Sequence, residues 1–239
     1  MTGPGDLVSA ITGLIGFAAV EEQRLLAEAP PAEAGSPDRW TALPVVAHNT
    51  EFRAQQVHRL QAILAGQVPD EFAEIDHGSP AVYRRYAEQD PAQVRDRSWH
   101  TAGELTALLA AVPPEDLLDP ARNPWLRGRP LWLQVVVRGF WHPSGHLADY
   151  YLAHGRSERA EDLAAHAVQT ARYLRAPAPA SGMAWYNLAC AAAGAGRPDR
   201  AADAAAQAAL LNQDLRAKLS TEPDLRALRA AGRLDAVLA

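Results

Sequence analysis

The chain of 239 residues has a single cysteine, Cys190, and a single lysine, Lys218. One cysteine excludes an intrachain disulfide and a thiolate metal cluster. It suits a reducing compartment, so a cytoplasmic location is the expectation. Positive charge is scarce relative to negative, with a formal net charge of −5 and a pI near 5.9. That balance does not suit an electrostatic nucleic-acid binder, and no nucleic-acid partner is expected. Uninterrupted apolar runs are short. Leu7 to Val20 contains Ser9, Thr12 and two glycines and has no basic leader, so it does not read as a signal peptide. Leu131 to Trp141 is broken by Gln134 and Arg138 and reads as a buried helix. No segment is expected to span a membrane. Gly13 and Gly16 form no phosphate loop, and no dinucleotide or kinase pattern occurs.

What remains is helical. Hydrophobic residues make up 48% of the chain, ordinary for a globular protein with enough length for one or two domains. Apolar residues between Asp6 and Ala29 recur at spacings of three, four and seven, with Asp6 as a candidate cap and the Pro30-Pro31 pair as a stop. Pro44 serves as a first-turn proline for a second helix reaching Ala65, closed by Gly66. Gln67 to Ser79 reads as an irregular crossing loop. Pro80 opens a third helix, broken near Asp90-Pro91 and resuming from Ala92 to Val112. After Pro113-Pro114 and a loop from Asp119 to Arg129, the fourth helix runs from Pro130 to about Ala153. Pro143 should kink it, because proline lacks the N–H and clashes with the carbonyl four residues back, that of Gly139.

Gly155 marks an expected domain boundary. Residues 1–155 carry net −7 and residues 156–239 net +2. The second part is alanine-rich and reads as short helices, Ser157 to Leu174, Ser181 to Ala193, Pro198 to Leu210 and one or two more, stacked as a small solenoid.

The sharpest chemical feature is His142-Pro143-Ser144-Gly145-His146. Two histidines four apart on a helix share one face, a spacing suited to one metal. His48, near the start of the second helix, is a candidate third ligand. Three imidazoles plus one open position describe a catalytic zinc arrangement, and nitrogen ligands also suit nickel and iron. Glu51 and Asp149, three residues from His48 and His146, are candidate general bases or groups that orient the histidines. Trp141 can wall the pocket or simply pack. Arg122, Arg127, Arg129 and Arg138 can bind an anionic substrate or cofactor or form ordinary salt bridges. His58, His77, His100, His154 and His166 read as exposed or locally bonded, and Cys190 as a structural residue on a buried helix face.

Trp40 with Leu43 to His48, and Arg138-Gly139-Phe140-Trp141-His142 followed by His146, resemble the DinB-like family, which includes relatives of mycothiol-dependent maleylpyruvate isomerase. The resemblance covers about Gly5 to Gly155. It implies an all-α, up-down-down-up four-helix bundle with one histidine from helix two and two from helix four on a divalent metal. These positions are His48, His142 and His146. It also implies thiol-dependent transfer or isomerisation, or hydrolysis, of a small reactive molecule, with a low-molecular-weight thiol as a candidate cofactor. Residues 157–234 resemble a terminal tetratricopeptide unit through Trp185-Tyr186-Asn187-Leu188-Ala189-Cys190, Gly196, Ala201, Ala205 and Ala208, continued by Leu211-Asn212, Asp214-Leu215 and Asp224-Leu225 with Leu228. Such a unit implies a protein partner, a second copy of the chain, or a cap docked on the bundle. A non-catalytic scaffold, or a protein that sequesters a small molecule, is the alternative function.

Overall fold

The computed structural model describes residues 3–30, 34–70 and 79–234, and among these it is all-helical. The pairing nearest to sheet structure is one isolated bridge, Ser36 to Arg39. His77, most of the expected loop after Gln67, and the last five residues lie outside the described residues. The chain forms two compact units, Met1–Tyr150 and Tyr151–Ala239.

In the first unit, α1 (Pro4–Glu28) begins with Asp6 Oδ2 accepting the Gly3 N–H at 3.1 Å, so Asp6 caps from inside the first turn. By length and composition alone α1 is apolar enough to cross a membrane, which corrects the expectation that no segment is. In this fold its Ile11, Leu14, Ile15 and Ala18 are fully buried. The second helix, α2 (Ala42–Leu64), starts two residues before Pro44, with Thr41 at the cap position. The break expected at Asp90-Pro91 is present. It separates α3 (Pro80–Ala87) from α4 (Pro91–Ala111), where the Asp90 side chain accepts the Gln93 N–H at 2.8 Å. A short α5 (Pro114–Leu118) follows, and two 3-10 turns lie within the expected loop Asp119 to Arg129. Helix α4 packs against both α1 and α2.

The fourth helical segment is not a kinked α-helix. It is α6 (Leu131–Val136), a π-helical turn over Val137–Trp141, and α7 (His142–Ala153). The His142 N–H reaches back five residues to the Val137 carbonyl. Widening the turn by one residue, just before Pro143, lets the chain pass a residue that has no N–H to give. Gly139 lies within this turn for a packing reason. A β-carbon there would stand 2.7 Å from Ile15 Cγ1 of α1 and 3.2 Å from Leu105 Cδ2 of α4. Only glycine lets the widened turn lie this close to both helices.

A buried polar triad ties three of these helices together. Arg53 on α2 donates to Glu22 Oε1 on α1 at 2.7 Å, with both side chains fully buried. Ser98 Oγ on α4 donates to Glu22 Oε2 at 2.6 Å, and Arg53 also donates to the Ser98 carbonyl. Charged residues this deep are rare unless paired, and the periodic apolar pattern of the sequence did not mark them.

In the second unit, α8 (Ser157–Tyr173), α9 (Ala178–Gly194) and α10 (Pro198–Leu211) pack in succession. Alanines fill the contacts, including Ala160, Ala164 and Ala167 on α8 and Ala201, Ala205 and Ala208 on α10. Gly182 lies against α10 so closely that a β-carbon would meet Asn212 Cβ at 2.7 Å and the Ala208 carbonyl at 3.2 Å. The turn after α9 is closed by Gly196 with φ of +71°, the left-handed geometry that favours glycine. Glu161, buried on α8, is neutralised by Arg197 and Arg200.

Candidate metal centre

Three histidines far apart in the chain meet inside the first unit. His48 lies in the first two turns of α2, fully buried. His142 opens α7 and His146 follows one turn later. The ring centres are 5.0 Å apart for His48 and His142, 5.1 Å for His48 and His146, and 4.3 Å for His142 and His146. One nitrogen from each lies within 4.8 Å of the others, so the group can hold a metal ion.

The donor set fits a divalent ion of intermediate softness. His48 Nε2 and His142 Nε2 are 2.7 Å apart, the length of a hydrogen bond. Nitrogens at the corners of a tetrahedral zinc site stand about 3.3 Å apart, given metal–nitrogen bonds of about 2.0–2.1 Å. The pair therefore has to open by about 0.6 Å to take such an ion, a shift within reach of side-chain rotation. Asp149 Oδ2 lies 3.6 Å from His146 Nδ1. That is beyond hydrogen-bond length, so Asp149 stands beside His146 without holding it.

Aromatic side chains wall the group. Trp40 meets His48 edge to face at 5.8 Å and is itself fixed by a hydrogen bond from its indole N–H to the Pro37 carbonyl. The Tyr86 ring lies 5.8 Å from His48, and the Phe52 ring is stacked on His142 at 4.0 Å and 10°. Trp40 entered the sequence reading through the family resemblance, and Phe52 and Tyr86 were not singled out there. A signal existed for Phe52, which shares a face of α2 with His48 through the four-residue spacing.

The other candidate residues separate clearly. Glu51 accepts a 2.7 Å hydrogen bond from the Tyr86 hydroxyl and pairs with Arg85 at 3.0 Å. It touches the histidines only through Tyr86, whose phenol is pushed above its ordinary pKa by burial and then by Glu51, and so stays a proton donor. Asp149 is mostly exposed and close to His146. Trp141 is half-buried at the end of the π turn, next to His142 in the chain. Arg122 is paired with Asp116, and Arg127 and Arg129 are exposed, whereas Arg138 faces Phe52 and Gln55. His58, His100 and His166 are exposed, as expected. In the second unit, Cys190 stands with Glu222 and Asp224, all within 4.8 Å, a grouping the sequence did not suggest. Glu222 there accepts a hydrogen bond from Tyr186.

No protein-family model matches the chain, and neither a curated protein nor a solved structure matches it.

Proposed function

We propose that the first unit is a DinB-like four-helix bundle holding one divalent ion on His48, His142 and His146, and that it acts on a small reactive molecule. Zinc is the first choice of ion and nickel or iron the alternatives. The observation that carries this reading is the convergence of three imidazoles from two separate helical segments to within 4.8 Å of one another. When bound, such an ion supplies Lewis acidity and lowers the pKa of a water or a low-molecular-weight thiol at its open position. The chain's own contribution is orientation and exclusion of water. Trp40, Phe52 and Tyr86 hold the His48 and His142 rings, and Asp149 is near enough to His146 to orient it through a small side-chain movement. Thiol-dependent transfer or isomerisation, or hydrolysis in a detoxifying role, is the chemistry this arrangement suits. A cytoplasmic setting is in keeping with the single cysteine.

The second unit, in this proposal, is a tetratricopeptide-like module that takes a protein partner. Its stacked α8, α9 and α10 with alanine-filled contacts support the likeness. Exposed Tyr173 and Leu210, at 86% and 70%, offer apolar surface for the scaffold reading of the whole chain.

The test is metal content. The full chain, purified without chelator and titrated with zinc, should bind one equivalent by elemental analysis and calorimetry. His48→Ala, His142→Ala and His146→Ala should each abolish stoichiometric binding. Equal metal content in the variants and the parent would remove the proposed centre and favour the scaffold.

A further inference from the structure

Helix α1 has no charged residue from Leu7 to Val20, a length of about 21 Å. Its Ile11, Leu14 and Ile15 enter the core of the first unit, yet its most apolar stretch is only 44% buried. On the outer side, Thr12, Gly16 and Ala19 of α1 and Trp99, Gly103 and Thr106 of α4 line an open groove of about 210 Å3. Trp99 stands at this groove 56% exposed, and Val20 is 45% exposed. Glu104, next to Gly103, turns away to accept a hydrogen bond from Gln61 on α2. An outward face this long without a charge is unusual for a helix that meets only water.

The two glycines of the groove are not explained by packing inside the unit. A β-carbon on Gly16 or Gly103 would meet nothing within 4 Å, whereas one on Gly139 or Gly182 would collide with a neighbouring element. Glycine inside a helix is less stable than alanine. The room these two leave lies on the outside, where it deepens the groove beside Trp99.

A cavity of about 150 Å3 holds a benzene ring, so the groove has space for an aromatic side chain. Trp99 supplies one on the same face. A two-fold rotation carries the projecting ring of each copy into the hollow of the other, the self-complementarity that an isologous contact requires. Exposed tryptophan at the centre of an uncharged surface is also the composition of an interface core. A lipid surface suits this face less well, because α1 carries no lysine or arginine before Arg24.

We infer that the outer face of α1 and α4 is the contact between two copies of this chain, with Trp99 of each protomer seated in the Gly16–Gly103 groove of its partner. The inference stands apart from the histidine centre and does not depend on it. Two helices about 10 Å apart over this length present about 400 Å2 on each copy. That is small for a specific interface, so the dimer is a weak one, with a Kd of about 10–100 µM.

Sedimentation of the full chain from about 5 to about 500 µM tests this range. The parent should pass from monomer to dimer, and no larger species should form. Trp99→Ala should weaken the dimer about tenfold or more by removing the ring. Gly16→Gln and Gly103→Gln should do the same by filling the hollow, while the dilute monomers melt no lower than the parent, since glutamine is the better helix former. A parent that stays monomeric at about 500 µM would overturn the inference, and a monomer that also binds vesicles of phosphatidylcholine and phosphatidylglycerol would assign the face to lipid instead. A dimer of parental strength in Trp99→Ala or in Gly103→Gln would place the contact elsewhere. Should Trp99→Ala fail to fold by circular dichroism, the two glycine variants decide the matter.

Discussion

Replacing Arg53 by methionine removes a cation from the interior of the first unit and leaves its partner behind. Glu22 and Arg53 are both fully buried and 2.7 Å apart. Removing one member of such a pair costs about 3–5 kcal/mol, because the other is left charged in a medium that solvates it poorly. Glu22 keeps the 2.6 Å bond from Ser98, so the lower part of that range applies, about 3–4 kcal/mol. For a chain of this length about 2–4 °C of Tm is lost per kcal/mol, giving a fall of about 6–16 °C. Tryptophan fluorescence is the right probe. Trp40, Trp99, Trp125, Trp132 and Trp141 lie in the first unit and Trp185 alone in the second, so the signal follows the unit that holds the pair. The double variant Glu22→Leu/Arg53→Met should recover to within about 1 kcal/mol of the parent, since both charges then leave the interior together. Added salt should change neither result, because a fully buried pair is little screened. A double variant as unstable as Arg53→Met would show that lost packing, not an orphaned charge, is the cause. An Arg53→Met protein melting with the parent would refute the reasoning altogether.

Two further outcomes follow from the same contacts. Gly139→Ala should destabilise the first unit by about 1–3 kcal/mol through overpacking against Ile15, less whatever the better helix former returns; adding Ile15→Val should restore part of the loss in a denaturation-based double-mutant cycle, and strictly additive effects would dissociate the two residues. Asp149→Asn should weaken zinc binding by about tenfold, at the low end for a residue behind a ligand because the side chain is mostly exposed; competition with a chromophoric chelator reads the change, and unchanged affinity would remove Asp149 from any role at His146.

The sequence by itself determined the helices, most of their ends and the row of histidines. Apolar spacing of three and four, prolines at first turns and glycines at last turns act locally, and a local rule can be read from a linear string. Asp90-Pro91 broke the third helical region where its chemistry required, and the four-residue step from His142 to His146 placed both rings on one face. Tertiary structure decided what those local rules leave open. Pro143 demanded some departure from α geometry, but a smooth kink and a π turn both satisfy it; the approach of Ile15 and Leu105 to Gly139 accompanies the second. Glu51 seemed as good a partner for His48 as Asp149 was for His146, until Arg85 and Tyr86, from another helix, took up its carboxylate. Arg138 stood among four similar arginines in the sequence, and only the packing of α2 against the π turn put it beside Phe52 and Arg59. Burial of charge is a property of three-dimensional surroundings, with energies set by partners distant in the chain, and no spacing along the sequence encodes it.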